Sequence, residues 1–146
     1  MHIREATERD VTVVSEMGNK VLAHHATFNP FYQPVVLGYK VPLPPEKIVL
    51  VATTDSDTVI GCIQGVFHKE PQDRSYPFAV IQSIWVDEVV RGQKIAQSLI
   101  ATFEEIVKGK GARQVDMFVD VQNNLGLALW DAVGYKTYQE KRRKLI

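Results

Sequence analysis

Hydrophobic and polar residues change period several times along the chain, and each change marks an element. His2 to Ala6 alternates and predicts a short strand. Asp10 then stands where a helix cap is expected, and Val14, Met17, Val21 and Leu22 recur at helical spacing until the pattern fades near His25. From His24 to Pro34 the run H-H-A-T-F-N-P-F-Y-Q-P mixes aromatics with turn formers, which predicts a loop with a short helix. Pro42, Pro44 and Pro45 mark another break. Ile48 to Thr54 reads as a strand, Asp55-Ser56-Asp57 as a turn, and Val59 to His68 as the returning strand of a hairpin. A polar loop, Lys69 to Tyr76, leads to a further strand from Phe78 to Val86.

The second half alternates strand and helix. Between Gly92 and Lys108, Ile95, Leu99, Phe103, Ile106 and Val107 form one apolar stripe, with Lys94, Ser98 and Glu105 on the other side. Gly109 and Gly111 end that helix. Gln114 to Val121 is a predicted strand, and Asn123 or Asn124 caps a helix carrying Leu125, Ala128, Leu129 and Ala132 that stops at Gly134. Tyr135 to Leu145 supplies the last strand or strands. Strands that first meander and later alternate with helices predict a mixed α/β sheet.

Composition narrows the function classes. A chain of 146 residues with 45% hydrophobic and 23% charged positions is expected to form one domain, residues 1–146, around one core. Seventeen Lys plus Arg balance 17 Asp plus Glu, which gives no footprint for nucleic acid or an anionic membrane. The only basic run, Lys141-Arg142-Arg143-Lys144, reads as a solvated strand or tail. The single cysteine, Cys62, lies among Ile60, Ile63 and Val66 and reads as a buried strand thiol. The M-H-I-R-E-A opening has no apolar signal core, and no apolar run approaches the roughly 20 residues of a membrane span, so a cytoplasmic location is expected.

The candidate chemistry gathers between Ile84 and Ala96, I-W-V-D-E-V-V-R-G-Q-K-I-A. An apolar strand stops, Arg91-Gly92 follows, and an amphipathic helix begins at once. Gly92 permits a close turn, and the first helical turn leaves N–H donors open at the positive end of the helix dipole. Such a place suits phosphate, with Arg91 adding charge. Neither the P-loop pattern nor the dinucleotide G-x-G-x-x-G is present. A plain strand-to-helix turn with a solvated Arg91 is the alternative.

With these motifs the chain resembles the Gcn5-related N-acetyltransferase (GNAT) superfamily. The family's cofactor motif, Q/R-x-x-G-x-G/A, corresponds to Arg91-Gly92-Gln93-Lys94-Ile95-Ala96. A second motif, N-x-x-A/G-x-x-x-Y-x-x-x-G-F/Y, corresponds to Asn123 to Tyr135. The resemblance covers essentially the whole chain, including the I-R-E-A-T-x-x-D opening. It implies a GNAT-like acyl-CoA N-acyltransferase fold: a mixed, mostly antiparallel sheet flanked by helices, with two central strands splayed apart. It also implies acetyl-CoA as cosubstrate. The pyrophosphate would rest on the amides of Gln93 to Ala96, and the pantetheine arm would lie beside Ile84, Trp85 and Val86 like an added strand. Asn123 matches a position that commonly contacts the arm.

Two positions depart from the family pattern. Lys94 replaces a glycine that lets phosphate approach the backbone. Trp130 stands where the family often has a Tyr acting as general acid, and an indole N–H can donate a hydrogen bond but cannot serve as an acid. Trp130 reads equally as core packing. For the base, Asp120 is the favoured carboxylate among Gln82, Ser83, Asp87 and Asp120 on or near the bordering strands, with a solvated strand end as its alternative. His24, His25, Phe28, Phe31 and Tyr32 offer aromatic walls with polar tips for the acceptor. The pattern shows no metal-ligand cluster. The resemblance implies transfer of an acetyl group to a primary amine of a small molecule or a protein, and is compatible with a homodimer. The alternative is a non-catalytic acyl-CoA-binding module or sensor.

Overall fold

A computed structural model describes residues 1–31 and 42–146. Its centre is a five-stranded sheet in sequence order: β1 (His2–Glu5), β2 (Lys47–Thr53), β3 (Val59–His68), β4 (Phe78–Val86) and β5 (Val115–Met117). The first three pairings are antiparallel and β4 with β5 is parallel. Three helices, α1 (Val11–Ala26), α2 (Ile95–Gly109) and α3 (Asn124–Ala132), flank the sheet. This is the expected mixed, mostly antiparallel sheet, and it does not close.

Between Lys47 and Thr53, β2 is apolar because it is covered on both faces. Ile48, Leu50 and Ala52 join Ile63 of β3 in the larger core beneath α2. Val49 and Val51 join Cys62 in a smaller core beneath Val14 and Met17 of α1. The predicted stripe of α2 holds, with Ile95, Leu99, Ile100, Phe103 and Val107 buried. The thiol of Cys62 is buried, and desolvation followed by the charge of Asp87 pushes it up to about 12, so it packs rather than reacts.

The opening motif works differently from a simple cap. Asp10 is buried and its side chain makes no cap to α1. Its carboxylate instead accepts from the Thr7 amide at 2.7 Å, the Thr7 hydroxyl at 3.0 Å and both terminal nitrogens of Arg4 at 2.7 and 3.0 Å. The Arg4 guanidinium, then the Thr7 bonds, hold this carboxyl at about 2, against burial that works to raise it. Arg4, Thr7 and Asp10 thereby lock β1 to the start of α1.

Several elements differ from expectation. α1 runs on to Ala26, so His24 and His25 belong to its last turn. α2 begins at Ile95 rather than Gly92. In α3 the expected apolar stripe is not the buried one: Leu125 is 66% exposed, and Trp130 enters the core instead. β5 ends at Met117, short of the predicted Val121. Residues 135–146 form neither strand nor helix, which corrects the expected last strand. Side-chain anchors replace the ladder there: Tyr135 donates to Glu104 at 2.8 Å and Tyr138 to Asp116 at 3.0 Å. Among the described residues no helix is long and apolar enough to cross a membrane.

Candidate active site

The site begins where two strands part. β4 pairs with β5 only at Ala79, Val80 and Ile81, opposite Val115, Asp116 and Met117. Beyond Ile81, β4 continues for five residues against β3 alone. An irregularity starts the divergence. Gln64 faces Ser83 while Gly65 faces Ile81, so Gln82 is an extra residue in β4. A bulge bends its strand and increases local twist, which turns the end of β4 away from β5. Gly65 makes room on the other side: a Cβ there would strike the Phe103 ring and come within 2.7 Å of the Val80 carbonyl oxygen.

The gap opens into a cleft of about 1020 Å³, lined by Ile81 to Val86, by Met117 to Asp120, by the start of α2 and by one flank of α1. At its open end Gly92 and Lys94 both take left-handed backbone, with φ of 83° and 60°. The first amide of this segment bonded to a backbone carbonyl is Ser98, which donates to Lys94 at 3.0 Å. Among the described residues, none accepts a hydrogen bond from the amides of residues 92–97. A Cβ built on Gly92 meets nothing within 4 Å. The start of α2 is thus an uncovered nest of donors at a helix N-terminus, suited to an anion. Lys94 explains why glycine is favoured at its position: the backbone there is left-handed, a conformation glycine adopts without strain.

The predicted residues divide by location. Ile84, Trp85, Val86, Arg91, Gly92, Lys94, Ile95, Ala96 and Asn123 all line the cleft, and Gln93 lies between two of them in the left-handed turn. Arg91, however, is occupied by the protein. Its Nε donates to the Val86 carbonyl at 3.1 Å and its guanidinium sits 4.8 Å from the Trp85 ring centre. It braces the end of β4. Asn123 caps α3, its Oδ1 accepting from the Gly126 amide at 3.0 Å, which leaves its amide nitrogen available to donate. A Cβ on Gly126 would come within 2.6 Å of that nitrogen, so the N-x-x-G spacing is the geometry of this cap.

Asp120 lines the cleft but one of its oxygens accepts from the Gln122 amide at 2.9 Å, closing the turn before α3. Trp130 is 5% exposed, belongs to the larger core and meets Tyr135 edge-on at 5.0 Å. Its packing role is plain, although it also forms part of the cleft floor. On the acceptor side, His24 and His25 line the cleft, with His24 edge-on to Phe28 at 4.9 Å and to Trp85 at 6.5 Å. Phe28 is not part of the cleft lining, and Phe31 is 62% exposed with Arg143 over its ring at 5.5 Å. Phe28 thus stands behind His24, and Phe31 lies at the surface. Tyr32 lies outside the described residues.

Lys47, Gln64 and Trp85's neighbour Ser83 complete the wall, and Lys47 carried no signal in the sequence. Lys47 reads as the first polar residue of an apolar strand. The register sets it across from Val66 of β3, and its ammonium reaches along the sheet to donate to Gln82 Oε1 at the bulge.

The comparisons agree with this geometry. The sequence model of the Acetyltransferase (GNAT) family matches residues 20–135. The chain belongs to that family. A search of curated protein sequences finds no significant match. Among solved structures, a mutant of the BH1408 protein from Bacillus halodurans superposes with a TM-score of 0.88 at 17% identity, covering 100% of this chain and 99% of that one. Aminoglycoside 6'-N-acetyltransferase AAC(6')-IG from Acinetobacter haemolyticus gives a TM-score of 0.74 at 16% identity over 100% and 98% of the two chains. Aminoglycoside N-acetyltransferase AAC(6')-Iy, solved in complex with CoA, gives 0.72 at 17% identity over 99% and 100%. At these identities the likeness is one of fold.

Proposed function

We propose that residues 1–146 act as one N-acetyltransferase domain that moves an acetyl group from acetyl-CoA to a primary amine of a small molecule or protein. The observation that carries this reading is the parting of β4 from β5 beside the uncovered amides of α2. The residues present fit the cosubstrate. The amides of Gly92 to Ala96 would hold the diphosphate, and the free edge of β4 from Ser83 to Val86 would pair with the amide-bearing arm. Phe118 and Leu125, 78% and 66% exposed, offer apolar cover at the cleft mouth. The Asn123 amide nitrogen is a further donor to the arm.

Bound acetyl-CoA supplies an activated acyl group as a thioester. With its diphosphate on the α2 amides, the acyl end would lie toward the parting of the strands at Ile81 and Met117. Unpaired β4 amides there can polarise the carbonyl as the amine attacks. Gln64, Ser83 and His24 offer a polar route by which the amine's proton leaves. Trp130 donates no proton to the departing sulfur. A thiol has a pKa of roughly 8.5, so a thiolate leaves readily, and positioning carries much of the rate.

Calorimetry with acetyl-CoA and thiol release with an amine panel test the reading. Saturable binding with amine-dependent release is expected. Binding without release from any amine would favour an acyl-CoA-binding module, the reading that Trp130, buried where the family often has Tyr, supports. No binding at millimolar acetyl-CoA would overturn both.

A further inference from the structure

We propose that the acceptor amine carries a carboxylate, bound by Lys47 and Gln82 at the end of the cleft where β4 and β5 part. This deepens the acetyltransferase reading and rests on it for the word acceptor, though not for the anion site itself. Lys47 shares the α1 face of β2 with Val49 and Val51, and its strand neighbours bring it to the bulged residue Gln82. The ammonium spends one proton on Gln82 Oε1. Two protons remain on Lys47, and the amide nitrogen of Gln82 carries two more. The pair therefore presents four N–H donors against the one lone pair left on Gln82 Oε1, which favours a group that accepts.

The cation is also without a countercharge. Lys47 is half-buried, and among the described residues no carboxylate lies within ion-pair distance of it. Burial alone lowers its pKa, with no charged neighbour offsetting it. A half-buried ammonium with no counterion favours an anionic ligand. Glu46, its neighbour in sequence, is exposed. The carboxylates that do line the cleft, Glu88 and Asp120, belong to its other walls. Glu88 lies 3.9 Å from Arg91, and Asp120 closes the turn before α3. A polycationic acceptor would meet the Lys47 ammonium beside the acyl group, whereas an amine bearing a carboxylate would find its charge matched and its nitrogen free.

Two measurements on the full chain test this. First, kcat/KM is compared for amino acids and their primary amides, with each rate referred to the neutral-amine fraction because the amide's amine is the less basic. The acids are expected to be preferred by about ten- to hundredfold, and Lys47→Met to collapse that preference through KM, with Lys47→Arg restoring part of it. Second, N-acetyl amino acids and their amides are titrated while Trp85 fluorescence is followed, which needs no turnover. The acid should bind wild type more tightly than its amide, and Lys47→Met should lose the difference. Equal binding of acid and amide, or acetylation of Lys47 itself by intact mass, would overturn the proposal. Selective acid binding without any acetyl-CoA binding would uphold the anion site and overturn the acetyltransferase reading alone.

Discussion

Single residues here serve conformation and charge in ways that can be separated by substitution. Lys94 occupies left-handed backbone at φ 60° next to the proposed diphosphate site. If the position matters through its backbone, Lys94→Gly tightens acetyl-CoA binding or leaves it unchanged. Its effect on stability stays within about 1 kcal/mol, because relief of left-handed strain offsets the added freedom of the unfolded chain. Weakening of binding by tenfold or more would instead assign the lysine charge a direct role. Asp10 gives a pH-dependent prediction. Its carboxyl sits at about 2 in the folded protein against an ordinary 3.8. The depressed value means the unfolded chain binds the extra proton first, so the stabilisation is complete above about pH 4 and disappears as pH falls through 2. Asp10→Asn should lose about 1–3 kcal/mol in urea unfolding at neutral pH, and the gap to wild type should narrow steadily in that acid window. A gap independent of pH would show that the carboxylate charge is not what the network uses.

At the level of elements, the legible features were those written in local pattern. The stripe of α2, the strands β1 to β4, the caps at Asn123 and Gly134 and the start of the anion nest all follow from spacing and turn chemistry. What local pattern could not convey was register. Gln82 as an extra residue, Gly65 as the space for Phe103, and the reach of Lys47 to Gln82 exist only once β2, β3 and β4 are aligned. The apparent strand from Gln114 to Val121 failed for the same reason. Among the described residues no strand pairs with it after Met117, and Phe118 and Val121 are left exposed. The apolar residues after Gly134 likewise anchor by side chains rather than forming a ladder. The Gly65 contact supplies the test at this scale. Gly65→Ala places a methyl group against the Phe103 ring and the Val80 carbonyl, and overpacking of this kind costs about 1–3 kcal/mol. Because β3 and α2 must move apart to accept it, acetyl-CoA affinity should fall along with stability. A variant as stable as wild type, with the same affinity, would mean the sheet absorbs the methyl without changing the gap.

Across the whole molecule, two cores share one sheet, and the cleft runs between the helices that cover its opposite faces. A ligand held by α2, β4 and the turn before α3 adds contacts among parts already joined through the larger core. Ligand that binds only the folded chain stabilises it by about 2.7 kcal/mol at a hundredfold excess over Kd. Thermal unfolding should therefore shift upward with acetyl-CoA and with desulfo-CoA, which keeps the diphosphate, but little with free pantetheine. An equal shift from pantetheine would move the main contact away from the α2 amides.

The half of β4 that runs on without β5 has a consequence beyond acyl transfer. A bare row of main-chain donors and acceptors is a template for any extended peptide, and exposed strand edges are where proteins stick to one another. Here that edge is short, bent by its bulge and recessed below Phe118 and Leu125, so a slender thioester arm can slide in where a bulky polypeptide is held off.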